Sequence, residues 1–200
     1  MACGTASIAI TGASGVRYGI RLVRAASEAG VKLTGIVVTR SAELVAEAEE
    51  GLARRRLSEL LSPYGPVYPE EDITSPLASS SSAPDCMAIV PASMKTVAMI
   101  ASGLELNLVA RAALSMLRLR RPLVVAFRET PLGVAELRNL LRLAQMGAVV
   151  MPLAPGFYHR PRGIDDLVDF MVGKVLDAWG VKHDLYRRWR GLRSPPGPSS

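Results

Sequence analysis

Residues 7–19, SIAITGASGVRYG, carry the clearest chemical signal in the chain. Two isoleucines mark residues 7–11 as a short buried strand. Residues 12–15 form a tight turn of small residues, and Val16, Ile20 and Val23 share one face of the helix that follows. A strand, a turn and a helix N-terminus leave backbone N–H groups and the positive end of a helix dipole free to face an anion. Gly12, Ala13 and Ser14 make the turn, and the Ser14 hydroxyl adds a donor. The motif is neither a GxGxxG nor a P-loop, so a phosphate cradle and a plain strand-to-helix turn are both open; its place after the first strand favours the cradle.

Other polar residues stand where further strands should end, which is where open α/β sheets bind ligands. Thr39 and Arg40 follow the second strand, and Ser93, Met94, Lys95 and Thr96 follow the third. Arg128 and Glu129 follow the fourth, and Phe157 and Tyr158 lie beyond the fifth. Ser93 to Thr96 can cap the next helix or add N–H donors to an anion site. Asn107, Arg111, Ser115 and Arg118 form a polar stripe on one helix face, which suits a solvated face or a phosphate site equally. Glu49 falls with the apolar stripe of its helix, where a carboxylate is a candidate for proton handling, the alternative being a helix-end carboxylate in water. Asp165, Asp166 and Asp169 spell DDxxD, but they open a helix, and acids in a first turn complement its dipole.

The elements that must position these residues alternate. Apolar runs at 7–11, 33–38, 86–90, 123–127 and 148–151 read as strands. Helical patterns fall at 16–29, 41–61 with a break near Gly51, 93–101, 107–119 and 134–146, and a last helix runs from Ile164 to Trp179. This is the pattern of a doubly wound parallel sheet between two helical layers, an α/β fold. Residues 62–85 read as irregular. The expectation is one domain over residues 1–190 and a disordered tail over 191–200. An apolar content of 49% excludes wholesale disorder. No apolar run reaches the roughly 20 residues of a membrane span, and the short leader suggests a cytoplasmic protein. The net charge of +6 comes almost wholly from arginine and is spread over several elements, which favours small anionic ligands over nucleic acid. Cys3, Cys86, His159 and His183 lack metal-site spacing, and each cysteine reads as a packing residue or a spare thiol.

ITGASGVRYG, ASSSSAP, PASMKT, SGLELNL, RRPLVVAFRETP and PGFYHRPRGIDDLVDF together resemble the flavin prenyltransferase family, the UbiX-like flavoproteins, over about residues 7–189. The resemblance implies a flavodoxin-like or Rossmann-like fold and bound FMN. It also implies transfer of a dimethylallyl group from dimethylallyl phosphate to N5 and C6 of reduced FMN, without a metal. The product would serve a UbiD-type decarboxylase. Members form large homo-oligomers such as a dodecamer, with sites at subunit contacts. Residue by residue, the resemblance implies that Gly12, Ala13, Ser14, Thr39, Ser93, Met94, Lys95, Thr96 and Arg128 bind FMN. It implies that Tyr158, Lys174, Arg111 and Arg118 surround the prenyl phosphate and that Trp189, an aromatic of the C-terminal segment, is a further substrate-binding residue. Glu49, Glu129 and Ser14 would form the catalytic set, the two carboxylates moving protons. Thr39, Ala92 and Arg118 stand where the family commonly has Ser, Cys and Lys.

Two other readings share this fold. Flavin-dependent cysteine decarboxylases use a His after the second strand, and residues 39–50 contain none. A non-enzymatic FMN carrier would bind the flavin without altering it.

Overall fold

The computed structural model describes residues 3–53, 56–189 and 191. In chain order the elements are β1 (Thr5–Ile10), α1 (Val16–Glu28), β2 (Lys32–Val38), α2 (Arg40–Glu50), α3 (Arg56–Leu61), β3 (Val67–Pro69), β4 (Cys86–Ala92), α4 (Met94–Ala101), α5 (Leu108–Arg118), β5 (Leu123–Phe127), α6 (Val134–Gln145), β6 (Val149–Pro152) and α7 (Ile164–Ala178). All strands pair in parallel, in the order β3-β2-β1-β4-β5-β6. The order reverses between β1 and β4, which opens a crevice beyond their carboxyl ends.

Alternation along the strands splits the core in two. Ile8 and Ile10 of β1 pack with Val16, Ile20 and Val23 of α1 and with Val172, Val175 and Leu176 of α7. Ala9, Met87 and Ile89 pack the other way, against Val97 and Ile100 of α4, Val109 and Ala113 of α5 and Leu143 of α6. The central strand β4 is buried along its whole length, as a parallel strand covered by helices on both faces must be.

Two features depart from the sequence reading. The sheet has a sixth strand, β3, inside the region read as irregular. It is a three-residue edge strand ending in proline, too short for a periodic signal, and it forms because it pairs with Ile36 to Val38. Short 3-10 turns at Ser62–Tyr64, Pro76–Ala78 and Ser80–Ser82 order the rest of that region. The two cysteines form a disulfide, with Cα atoms 5.9 Å apart. They meet because β1 and β4 are neighbours although 83 residues separate the cysteines. The helical pattern over 41–61 is two helices, parted at Gly51 as its composition suggests. Of the expected tail, residues 192–200 lie outside the described residues.

Candidate active site

At the β1/β4 switch a side-chain hydroxyl adds to the backbone bond from Thr11 N to Pro91 O. Thr11 Oγ1 donates to Pro91 O at 2.8 Å and accepts from Ser93 N at 2.8 Å, which ties the ends of the two strands. A cleft of about 180 Å³ lies there, lined by Thr11, Gly12, Thr39, Ser41, Ser93, Lys95 and Thr96. Two helix N-termini open beside it. Thr39 Oγ1 accepts from Ala42 N at 3.1 Å to cap α2, and Ser93 Oγ accepts from Thr96 N at 3.4 Å to cap α4. Capping therefore uses both hydroxyls, while the positive ends of the helix dipoles remain at the cleft. A Cβ on Gly12 would collide with the Ser41 side chain, so only glycine lets the chain pass α2 this closely. Five of the residues read as flavin contacts, Gly12, Thr39, Ser93, Lys95 and Thr96, thus line one cleft. Ala13 is buried in the turn, and Ser14 and Met94 are half-buried near their helix starts.

Arg128 follows β5, and its backbone N–H donates to Ala92 O at 3.4 Å, which places it one strand beyond the Ser93 turn. Its Nε is buried and has no partner among the described residues. A buried guanidinium nitrogen without an acceptor costs stability unless a ligand supplies one. Glu129 is exposed, and one of its carboxylate oxygens accepts from Thr130 N at 3.0 Å. Glu49 departs from the sequence reading: it is exposed, not on the buried stripe of α2, which consists of Ala42 and Ala46. The last turn of α2 runs past the core and reaches the turn before α1. There Glu49 Oε2 accepts from Gly15 N at 2.8 Å, so the carboxylate belongs to the cradle although it is not buried.

A second cluster gathers on α7. Tyr158 meets Phe170 edge-on at 5.7 Å and Trp189 at 5.5 Å, and His159 stacks on Phe170 at 5.0 Å. Lys174 Nζ lies 5.3 Å from the Phe170 ring centre and 4.9 Å from that of Tyr186. Tyr158, Lys174 and Trp189, read as one group, are therefore together. Arg111 and Arg118 are not with them. They project from α5, which packs on the sheet face opposite α7. Both pair with Glu105, at 3.5 and 2.6 Å, and Arg111 Nε also donates to Ala78 O at 2.8 Å. One chain does not bring its α5 cations to its own Lys174.

Two organising carboxylates carried no signal in the sequence. Glu70 accepts from Arg40 N at 3.0 Å and from Asn107 Nδ2 at 2.7 Å, joining the starts of α2 and α5. Asp177 accepts from three side chains of the segment after α7. Neither falls in a spaced motif, because its partners come from other elements or an irregular segment. Of the DDxxD acids, Asp165 and Asp166 lie in the first turn of α7, where Asp166 accepts from Arg162 N at 2.7 Å, while Asp169 lies a turn further on and pairs with Arg21 of α1 at 2.6 Å. Among the described residues no cluster of His, Cys, Asp or Glu is arranged to hold a metal, and no helix is long and apolar enough to cross a membrane.

The chain is similar to known proteins over most of its length. The Flavoprotein family model matches residues 5–176. The flavin prenyltransferase UbiX of Saccharolobus solfataricus is 45% identical over 186 residues, covering 92% of this chain and 91% of the relative. Among solved structures, AnUbiX (PadA1) in complex with FMN and dimethylallyl pyrophosphate is 35% identical with a TM-score of 0.88, over 94% of this chain and 98% of that one. A dodecameric FMN-dependent Ubix-like decarboxylase from Escherichia coli O157:H7 is 34% identical with a TM-score of 0.86, over 94% and 100%. The chain thus belongs to the Flavoprotein family, among the UbiX flavin prenyltransferases.

Proposed function

We propose that the protein is a flavin prenyltransferase that joins the dimethylallyl group of dimethylallyl phosphate to N5 and C6 of reduced FMN, giving prenylated FMN. The observation that carries this reading is the match to UbiX relatives over nine-tenths of both chains. The local geometry agrees at the flavin end. Two capped helix termini, the Gly12 turn and the unpartnered Arg128 Nε suit a phosphate-bearing group at the β1/β4 crevice. Reduced FMN, when bound, supplies the two nucleophilic ring atoms.

The chain's own residues have three tasks. Gly12, Ala13, Ser14, Thr39, Ser93, Met94, Lys95, Thr96 and Arg128 hold and orient the flavin. Lys174, Tyr158, Arg111 and Arg118 bind the donor phosphate, and the cations neutralise it as it leaves, so charge stabilisation needs no added ion. Glu49 and Glu129 hold or move protons near N5 and the phosphate. Because α5 and α7 cover opposite sheet faces, Arg111 and Arg118 act in a site completed by another copy in a homo-oligomer. Residues 1–190 act as one flavoprotein domain, the reaction takes place in the cytoplasm, and a UbiD-type decarboxylase receives the product.

Incubation of the protein with reduced FMN and dimethylallyl phosphate, followed by mass spectrometry of the extracted flavin, tests the reading. The expected product is FMN enlarged by one C5H8 unit. FMN that binds but returns unmodified overturns the transferase reading.

A further inference from the structure

The segment 182–189 after α7 has no helix or strand, yet one carboxylate fixes it. Asp177 Oδ2 accepts from Tyr186 Oη at 2.5 Å, and Oδ1 accepts from Arg188 at 2.6 Å and from His183 Nε2 at 3.1 Å. His183 Nδ1 accepts from Leu185 N at 3.2 Å, so the ring proton sits on Nε2 and points at Asp177. Burial alone would raise the Asp177 carboxyl. Hydrogen bonds from Arg188, Tyr186 and His183 outweigh burial and hold its pKa below the ordinary value. Burial and the Asp177 hydrogen bond push the Tyr186 phenol up, so it stays a donor.

The helix is shaped for this contact. Phe170, Gly173, Lys174 and Asp177 lie on one face of α7 at helical spacing. A Cβ on Gly173 would come within 2.6 Å of the Tyr186 ring and 2.7 Å of the His183 ring. A glycine inside a helix is less favourable than alanine, and here it opens the groove that seats both rings. The seated segment ends with Tyr186 against Lys174 and Trp189 against Tyr158.

We propose that Asp177, with Gly173 one turn before it, is a positioning residue that docks residues 183–189 as a strap on α7, holding Tyr186 and Trp189 against the Lys174 and Tyr158 side chains that receive the prenyl phosphate. The proposal rests on the prenyltransferase reading for its substrate, and it concerns the donor site, not the flavin cradle. Asp177 touches no reacting atom. Its effect passes through the rings that fix the Lys174 ammonium and the Tyr158 hydroxyl.

Two substitutions test it through different atoms. Asp177→Asn removes the charge that gathers the strap, and Gly173→Ala fills the groove. Each is expected to speed tryptic cleavage after Arg187 and Arg188 in the folded, FMN-bound protein by about tenfold, as expected for losing a hydrogen bond to a charged group. Each should raise the KM for dimethylallyl phosphate by about tenfold, with kcat and FMN affinity changed less than about threefold. Asp177→Glu should restore part of both. Wild-type cleavage rates in both variants would overturn the docking role. A released strap with an unchanged KM would overturn the positioning role. If the wild-type protein adds nothing to FMN, the function fails on its own. Calorimetric binding of dimethylallyl phosphate to the FMN-bound wild type and variants then decides the strap, equal affinities overturning it.

Discussion

Gly15 N–H donates to the Glu49 carboxylate at 2.8 Å, joining the residue that precedes α1 to the last turn of α2. The contact puts an acid at the mouth of the turn proposed to hold the flavin. A glutamine can keep this bond by accepting through its amide oxygen, but it cannot exchange a proton. Glu49→Gln should therefore retain FMN and lose turnover by about 100-fold, the lower range of a general acid–base contribution. Flavin fluorescence titration and product mass spectrometry measure the two separately. Wild-type turnover in this variant would remove the proton role.

Arg128 presents a buried Nε with no acceptor among the described residues. A charge-assisted hydrogen bond is worth about 1.5–3 kcal/mol, so Arg128→Ala should weaken FMN binding about tenfold to a hundredfold. The apo protein should lose little thermal stability, because no intramolecular partner is given up. A variant that binds FMN as tightly as wild type would place Arg128 outside the flavin contacts.

The strand ends were legible in the sequence because apolar runs and polar stops follow one another along the chain. Thr39, Ser93 and Lys95 could be set at a common edge from that pattern alone, and they do line one cleft. Which helix covers which sheet face was not legible. The strand order decides it, and the order depends on contacts such as Ala6 with Cys86 that no local period encodes. The resemblance sets Arg111 and Lys174 around one phosphate at a subunit contact, and within one chain the two lie on opposite faces. The Cys3–Cys86 bridge was hidden for the same reason. The exposure of Glu49 has another cause: its spacing matches buried Ala42 and Ala46, but it lies in the last turn of α2, where the helix no longer packs on the core.

At the amino ends of the central strands β1 and β4, Asp85 accepts from both Thr5 N and Thr5 Oγ1 at 2.8 Å. The Thr5 hydroxyl, then its backbone N–H, hold the Asp85 carboxyl below the ordinary carboxylate range. A depressed folded-state pKa stabilises the fold above the unfolded value, near 3.9, and that contribution disappears as pH falls through the folded value. Asp85→Asn mimics the protonated acid. Its melting temperature should lie below wild type at pH 7, and the gap should close as pH falls through the depressed folded-state value. A gap that is constant with pH would show that the Thr5 contact does not depend on the charge.

The separation of α5 from α7 makes a stronger prediction about assembly. Lys174→Ala and Arg118→Ala each remove one cation from the proposed donor site, and each variant alone should prenylate FMN poorly. If Lys174 and Arg118 act in the same site from different copies, unfolding the two variants together and refolding them should rebuild some sites. In such a site one copy supplies Lys174 and another supplies Arg118. For random mixing at equal amounts, about a quarter of the sites in a closed assembly then receive both intact residues. Activity should rise to about a quarter of the wild-type value, while each variant refolded alone stays low. If both residues served a site within one chain, no mixture could restore it, because every chain would lack one of the two. Activity of the mixture equal to the mean of its parents would thus overturn a donor site shared between copies and leave Arg118 with the Glu105 pairing of its own chain.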